Sequence, residues 1–149
     1  MIEKEIEKII VAEGLNCTVS EFQDQVNWNY ISEYQILSEE FIKEFKDQLD
    51  WENISIFQVL SEGFIREFKD QVCWTGIAGN QKISEGLIRE FKDQVNWEYI
   101  SVFNKLSEGF IREFQNELFC YEILKYQELS NEFIRELSLL VFFEIPLKK

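Results

Sequence analysis

The chain has 149 residues, 46% of them hydrophobic and 15% aromatic, and a formal net charge of −13. This composition supplies a core and argues against disorder, while the negative balance repels phosphate backbones and anionic lipid and would select basic partners, if it does more than keep the chain soluble. Histidine is absent, and Cys17, Cys73 and Cys120 lie far apart without CxxC spacing, so the usual neutral-pH proton shuttle and a disulfide framework are both missing.

At the N-terminal end, Ile2, Ile6, Ile9 and Ile10 form one apolar stripe among Glu and Lys, with Gly14 placed to close the helix. Residues 1–14 are therefore expected to be an N-terminal capping helix. Charges interrupt the stripe, so it does not read as a secretory signal. Residues 15–27 read as a partial repeat, with Val19, Phe22 and Val26 in register with the full units that begin at residue 28.

From residue 28 the chain repeats every 23 residues: Trp28, Trp51, Trp74 and Trp97, with Cys120 at the next step, and likewise Ser38, Ser61, Ser84, Ser107 and Ser130. Five units occupy 28–142, and a regular period of this length marks a repeat architecture. Each unit predicts two short helices of about 8 and 11 residues. Asp50, or Asn27 and Asn96 in its place elsewhere, starts the first, and Ser61 caps the second. Trp51, Ile54, Phe57 and Leu60 are expected on one face of the first helix. Phe64, Ile65, Phe68 and Val72 form the stripe of the second, with Glu62, Arg66 and Asp70 as an outer charge ladder.

A strand in place of the first helix would keep Ile56 and its equivalents apolar. That column instead runs Glu33, Ile56, Gly79, Val102, Lys125. The expected fold class is all-α: a single repeat domain, 1–149, forming an α-solenoid of either hand in which stacked helix pairs share a core. Its core is Trp28, Trp51, Trp74 and Trp97 with Ile54, Phe64, Ile65 and Phe68.

Comparing the copies separates fixed columns from varied ones. The varied ones include Asn29, Tyr30, Glu33, Glu52, Ile56, Val59, Glu98, Tyr99, Val102 and Lys105. They are the candidate partner-binding face, against the alternative of drift on a solvated surface. The amide column Gln35, Gln58, Gln81, Asn104, Gln127 predicts a hydrogen-bond ladder between turns. The rows Asp24, Asp47, Asp70, Asp93 and Gln25, Gln48, Gln71, Gln94 are expected to bond between units. One carboxylate per layer, spaced by about 10 Å, is too sparse for a cation. No nucleophile has an evident base and no glycine-rich phosphate loop exists, so neither catalysis nor a cofactor is expected. Without a basic groove, the aromatic columns read as core and not as a base-stacking platform.

The third unit departs from the others at Gly76, Gly79 and Asn80, where a distorted turn, acting as a hinge or a notch, is expected. At the C-terminal end Phe143 stands where Trp would, and Pro146 where Ile would, so 143–149 is a tail. The longest apolar stretch, Leu139 to Phe143, is too short to span a bilayer. Residues 139–147 either fold back or meet a second copy of the chain.

The unit WxxISxFQxLSExFIxEFxDQV, carried here by Trp51, Ile54, Ser55, Gln58, Leu60, Ser61, Glu62, Phe64, Ile65, Phe68, Asp70 and their equivalents, resembles tandem-repeat proteins of large nucleocytoplasmic DNA viruses, the marseillevirus-like ones in particular. The resemblance covers about residues 18–137. It implies no catalytic residues. It implies a viral product working in host cytoplasm, a viral factory or the virion, with a host or viral protein as partner. The apolar tail 139–147 motivates a second role, a structural virion component that self-associates through its ends, and the negative charge a third, an acidic binder of basic proteins.

Overall fold

A computed structural model describes residues 2–144, with side chains to residue 139. Every regular element among the described residues is a helix: α1 (Ile2–Ala12), α2 (Phe22–Gln25), α3 (Trp28–Tyr34), α4 (Glu39–Glu44), α5 (Trp51–Phe57), α6 (Glu62–Glu67), α7 (Trp74–Asn80), α8 (Glu85–Glu90), α9 (Trp97–Phe103), α10 (Glu108–Glu113), α11 (Cys120–Tyr126) and α12 (Asn131–Glu144). The chain divides into two compact units, Met1–Gln81 and Lys82–Lys149. From residue 140 onward, the side chains of the anticipated tail contact, Phe143 and Pro146 among them, lie outside the described residues.

In the first unit the repeat follows from its caps. The Asp50 side chain accepts from the Asn53 N–H at 2.9 Å and starts α5. Gln58 then turns extended (φ −90, ψ 151) and ends it. An extended linker leads to Ser61, whose Oγ accepts from the Phe64 N–H at 3.1 Å and starts α6. The second helix is shorter than the sequence suggests, six residues in place of about 11. Phe68 leaves helical geometry, and Val72 is buried from the turn beyond it, whose Gln71 N–H donates to the Phe68 carbonyl at 2.9 Å. Asp70 occupies this turn, a setting that aspartate favours over a helix interior.

Ile31, Ile54 and Ile77 pack with Phe41, Ile42, Phe64 and Ile65 as the buried interior. The tryptophans expected in that core sit at its rim, half-buried. Trp51 stacks on Phe68, ring centres 5.2 Å apart, while its Nε1 donates to the Lys46 carbonyl at 3.0 Å. Phe57 corrects the expected face: it is 51% exposed, as are Tyr34 at 61% and, in the second unit, Phe103 at 60%. Steps of three residues drift around a 3.6-residue helix, and α5 ends at Phe57 itself. Ser55 is buried in its place. Its Oγ donates to the Trp51 carbonyl at 2.7 Å and accepts from the Cys73 N–H at 2.8 Å, so a small polar side chain lets successive layers approach while leaving nothing unsatisfied.

The anticipated amide ladder joins the layers. Gln58 Nε2 donates to the carbonyls of Gln35 (2.8 Å) and Ser32 (3.0 Å), and its Oε1 accepts from the Leu37 N–H at 2.9 Å. Gln81 repeats this on Gln58, Ser55 and Leu60. Helix α1 and the turn after it offer the first layer comparable acceptors: Glu5 takes the Ser38 N–H and Oγ–H at 2.8 and 2.6 Å, and Glu13 takes Gln35 Nε2. Gly14, at φ 62, closes α1, with the Leu15 N–H on the Ile10 carbonyl at 2.9 Å.

The third-unit helix α7 keeps the seven-residue length of α3 and α5, without the expected distorted turn. Gly76 is buried there for a packing reason. A Cβ on it would stand 3.1 Å from both Ile56 Cγ1 and Ser55 Cβ.

The second unit, described by itself, uses the same devices. Gln127 Nε2 reaches the Asn104 and Ser101 carbonyls at 2.8 and 3.0 Å, and Ser101 Oγ accepts from the Phe119 N–H at 3.0 Å. Its last helix, α12, is 14 residues long against six in α8 and α10.

Candidate interaction surface

One repeat builds two outward faces, and they differ in how far the fold itself uses them. On the second-helix face the charges pair across layers: Lys43 with Glu67 at 2.6 Å in the first unit, Arg89 with Glu113 at 2.9 Å and Arg112 with Glu136 at 2.8 Å in the second. The same cations lie over aromatic rings, Lys43 above Phe64 at 5.7 Å, Arg89 above Phe110 at 4.8 Å and Arg112 above Phe133 at 4.4 Å. Hydrogen bonding to these carboxylates raises the affinity of all three cations for their protons. Carboxylates also cap across layers. Glu108 accepts from the Ser130 N–H at 2.8 Å, and that bond, ahead of the Arg112 charge, holds its carboxyl below the usual range. Arg112 does the same to Glu136.

The first-helix face is different. Asn29, Glu52, Glu98 and Lys105 are exposed, and Lys105 pairs with Glu128 at 3.3 Å. Tyr30, Tyr99 and Val59 are exposed large hydrophobics. Glu33, Ile56 and Val102 are half-buried, Ile56 because it packs toward Gly76, so this column is not fully outward.

Exposed apolar and aromatic side chains complete the surface. Ile36 and Val59, 95% and 91% exposed, occupy the same linker position in adjacent layers, each between an amide of the ladder and a buried leucine. Tyr34 and Phe57 stand at the ends of α3 and α5. The Tyr30 and Tyr34 rings meet at 4.7 Å. Glu33, by its hydrogen bond and then its charge, raises the Tyr34 phenol above its ordinary value. The second unit carries Tyr99 against Phe103 at 5.6 Å, and Lys125 over Tyr126 at 4.7 Å and Tyr121 at 5.9 Å. A shallow notch of about 200 Å³ there lies between Phe103, Lys105, Tyr126 and Glu128. The signal for these rings is present in the sequence: a column that accepts Asn80 beside Tyr34, Phe57, Phe103 and Tyr126 is not a core column.

The Asp and Gln rows do not join units as anticipated. Asp47, Asp70 and Asp93, with Gln48, Gln71 and Gln94, are exposed in the turns, and their side chains make no hydrogen bond or ion pair among the described residues. Lys92, Asp93, Trp97, Glu113 and Glu117 line a second shallow crevice, of about 270 Å³. Among the described residues no group of three or more potential ligands is placed to hold a metal ion, and no helix is long and apolar enough to cross a membrane. The chain matches no protein-family model, no curated protein and no solved structure.

Proposed function

We propose that this chain is a non-enzymatic repeat scaffold that holds a partner protein on the outer face of its first helices. In this reading its layers continue as one α-solenoid, with α1 closing the N-terminal end. The observation that carries it is the pair Ile36 and Val59, almost fully exposed at equivalent positions where both flanking side chains serve the fold. Clustered exposed apolar side chains are the usual mark of an interaction site. The second-helix face, whose charges and rings already engage one another, offers less to a partner. On the resemblance drawn from the repeat, the partner is a host or viral protein and the scaffold works in host cytoplasm, a viral factory or the virion. The test is affinity capture from infected and host lysates at two salt concentrations, comparing wild type, an Ile36→Asp/Val59→Asp variant and a Glu67→Ala control. A partner retained by the control and lost by the double variant is the expected result; retention by the double variant overturns the assignment.

A structural role through self-association has its own motivation. Helix α12 outruns its counterparts and leaves Leu139 and Ile134 exposed. Light scattering on the intact chain and on one truncated after Leu137 tests it. Equal subunit counts for both would remove this reading.

A further inference from the structure

We propose that the α3–α5 face receives arginine side chains from a basic, extended segment of a partner protein, a guanidinium seated on the Tyr30–Tyr34 ring pair beside the Glu33 carboxylate. The proposal rests on the reading of this face as the interaction surface and adds the chemistry of what binds.

Three observations carry it. The two rings and the carboxylate are gathered on one helical turn, at i, i+3 and i+4, with the rings in contact and open to solvent. Secondly, the protein fills comparable sites with its own cations: Lys43, Arg89, Arg112 and Lys125 each lie over a ring. Among the described residues no cation lies over Tyr30, Tyr34 or Phe57. The segments 28–37 and 51–60, which build this face, contain Glu33 and Glu52 and neither Lys nor Arg. A negative, aromatic surface without its own cation complements a positive partner.

The third observation is geometric. Ile36 and Val59 are one layer apart on extended linkers held together by Gln58. Packed helical layers advance by about 10 Å, the length of about three residues of extended chain. A segment running along the layers would bring an apolar side chain to Ile36 and Val59 in turn. It would also present a second cation to Phe57 about three residues after the first. Arginine suits the site better than lysine because its planar guanidinium stacks on a ring and donates to a carboxylate together.

The experiment is fluorescence anisotropy with the full chain and a short labelled peptide carrying two arginines three positions apart among leucine and valine. Copies with citrulline or lysine at both positions accompany it. Circular dichroism first checks that each variant is folded, which surface substitutions permit. The arginine peptide is expected to bind at least about tenfold more tightly than the citrulline copy, and more tightly than the lysine copy. Tyr30→Ala/Tyr34→Ala and Glu33→Gln are each expected to weaken it several-fold, and Glu67→Ala, on the second-helix face, to leave it unchanged. Equal binding of the citrulline copy overturns the cationic assignment. If that binding disappears in Ile36→Asp/Val59→Asp, the surface reading survives alone. Arginine binding that persists undiminished in Tyr30→Ala/Tyr34→Ala is general charge attraction and overturns the site. A lysine copy that binds as well removes the guanidinium preference. Failure of every peptide overturns the proposed segment chemistry, whereas the lysate capture tests the surface independently.

Discussion

Gln58 joins its layer to that of Gln35 much as a paired strand would, with its amide N–H on the Gln35 carbonyl at 2.8 Å while its own side-chain carbonyl accepts from the Leu37 N–H, two residues further on, at 2.9 Å. Gln58 is buried, so replacing it by leucine removes partners from the Leu37 N–H and from the Gln35 and Ser32 carbonyls together. Unsatisfied buried groups of this kind cost about 3 kcal/mol in total. Urea unfolding of Gln58→Leu is expected to show a loss of that order with an unchanged slope. Gln35→Leu is expected to lose less, because Gln35 is half-buried and its side chain bonds Glu13 instead of two backbone carbonyls.

The first helices are not equally capped. Asn27, Asp50 and Asn96 each accept a backbone N–H at the start of α3, α5 and α9, whereas Cys73 occupies that position before α7 without a side-chain cap. Cys73→Asn is therefore expected to raise stability by about 1 kcal/mol. Its backbone N–H continues to donate to Ser55 Oγ. A higher urea midpoint at constant slope checks this, and a lower midpoint would show that the Cys73 side chain packs in a way the asparagine cannot replace.

Acid should weaken the second unit through Glu108 and Glu136. Both carboxyls are held below the ordinary glutamate value, Glu108 first by the Ser130 N–H and Glu136 first by Arg112. A folded-state value below the unfolded one, about 4.3, favours the fold wherever the carboxylate is ionised. This contribution is complete above the unfolded value and disappears as pH falls through the folded values. Glu136 is exposed and Glu108 only half-buried, so solvent and salt keep the effect modest. Melting curves between pH 3 and 6 are expected to show a shallower acid loss in Glu108→Gln than in wild type, on a lower Tm at the upper end of the range.

Legible in the sequence is whatever repeats with one chemical cause. The serine caps, the Asx caps of α3, α5 and α9, the buried Ile54, Phe64 and Ile65, and the amide ladder each follow from a residue type whose role recurs from copy to copy. Phe57 escapes this logic, because hydrophobicity alone cannot distinguish the last residue of a seven-residue helix from an interior one. The buried Ser55 is hidden by its polarity, although close approach of the layers selects a small side chain there. The Asp47, Asp70 and Asp93 row is constant in identity, but constancy does not require bonding. Its turn setting rationalises the residue type, while its side chains bond to nothing among the described residues. The interaction face is legible only as variation, which does not reveal that Ile36 and Val59 stand almost fully in solvent.

Gly76 tests whether composition or packing governs the third unit. Two glycines in α7 lower its helix propensity by roughly 1 kcal/mol each against alanine, and the helix also lacks a side-chain cap. Amides across 75–80 are therefore expected to exchange faster than those of α5; equal protection would remove the idea of a hinge there. Propensity alone would make Gly76→Ala stabilising. Packing opposes it, because the added carbon meets Ile56 Cγ1 and Ser55 Cβ at 3.1 Å. Ile56 is half-buried and able to shift, but Ser55 is fully buried and tied to Trp51 and Cys73. Overpacking of this kind costs about 1–3 kcal/mol, so the net expectation for Gly76→Ala is a loss of about 1 kcal/mol. Adding Ile56→Ala should recover only part of it, since the contact with Ser55 remains. A gain in stability from Gly76→Ala alone would mean that the layers yield at Ser55.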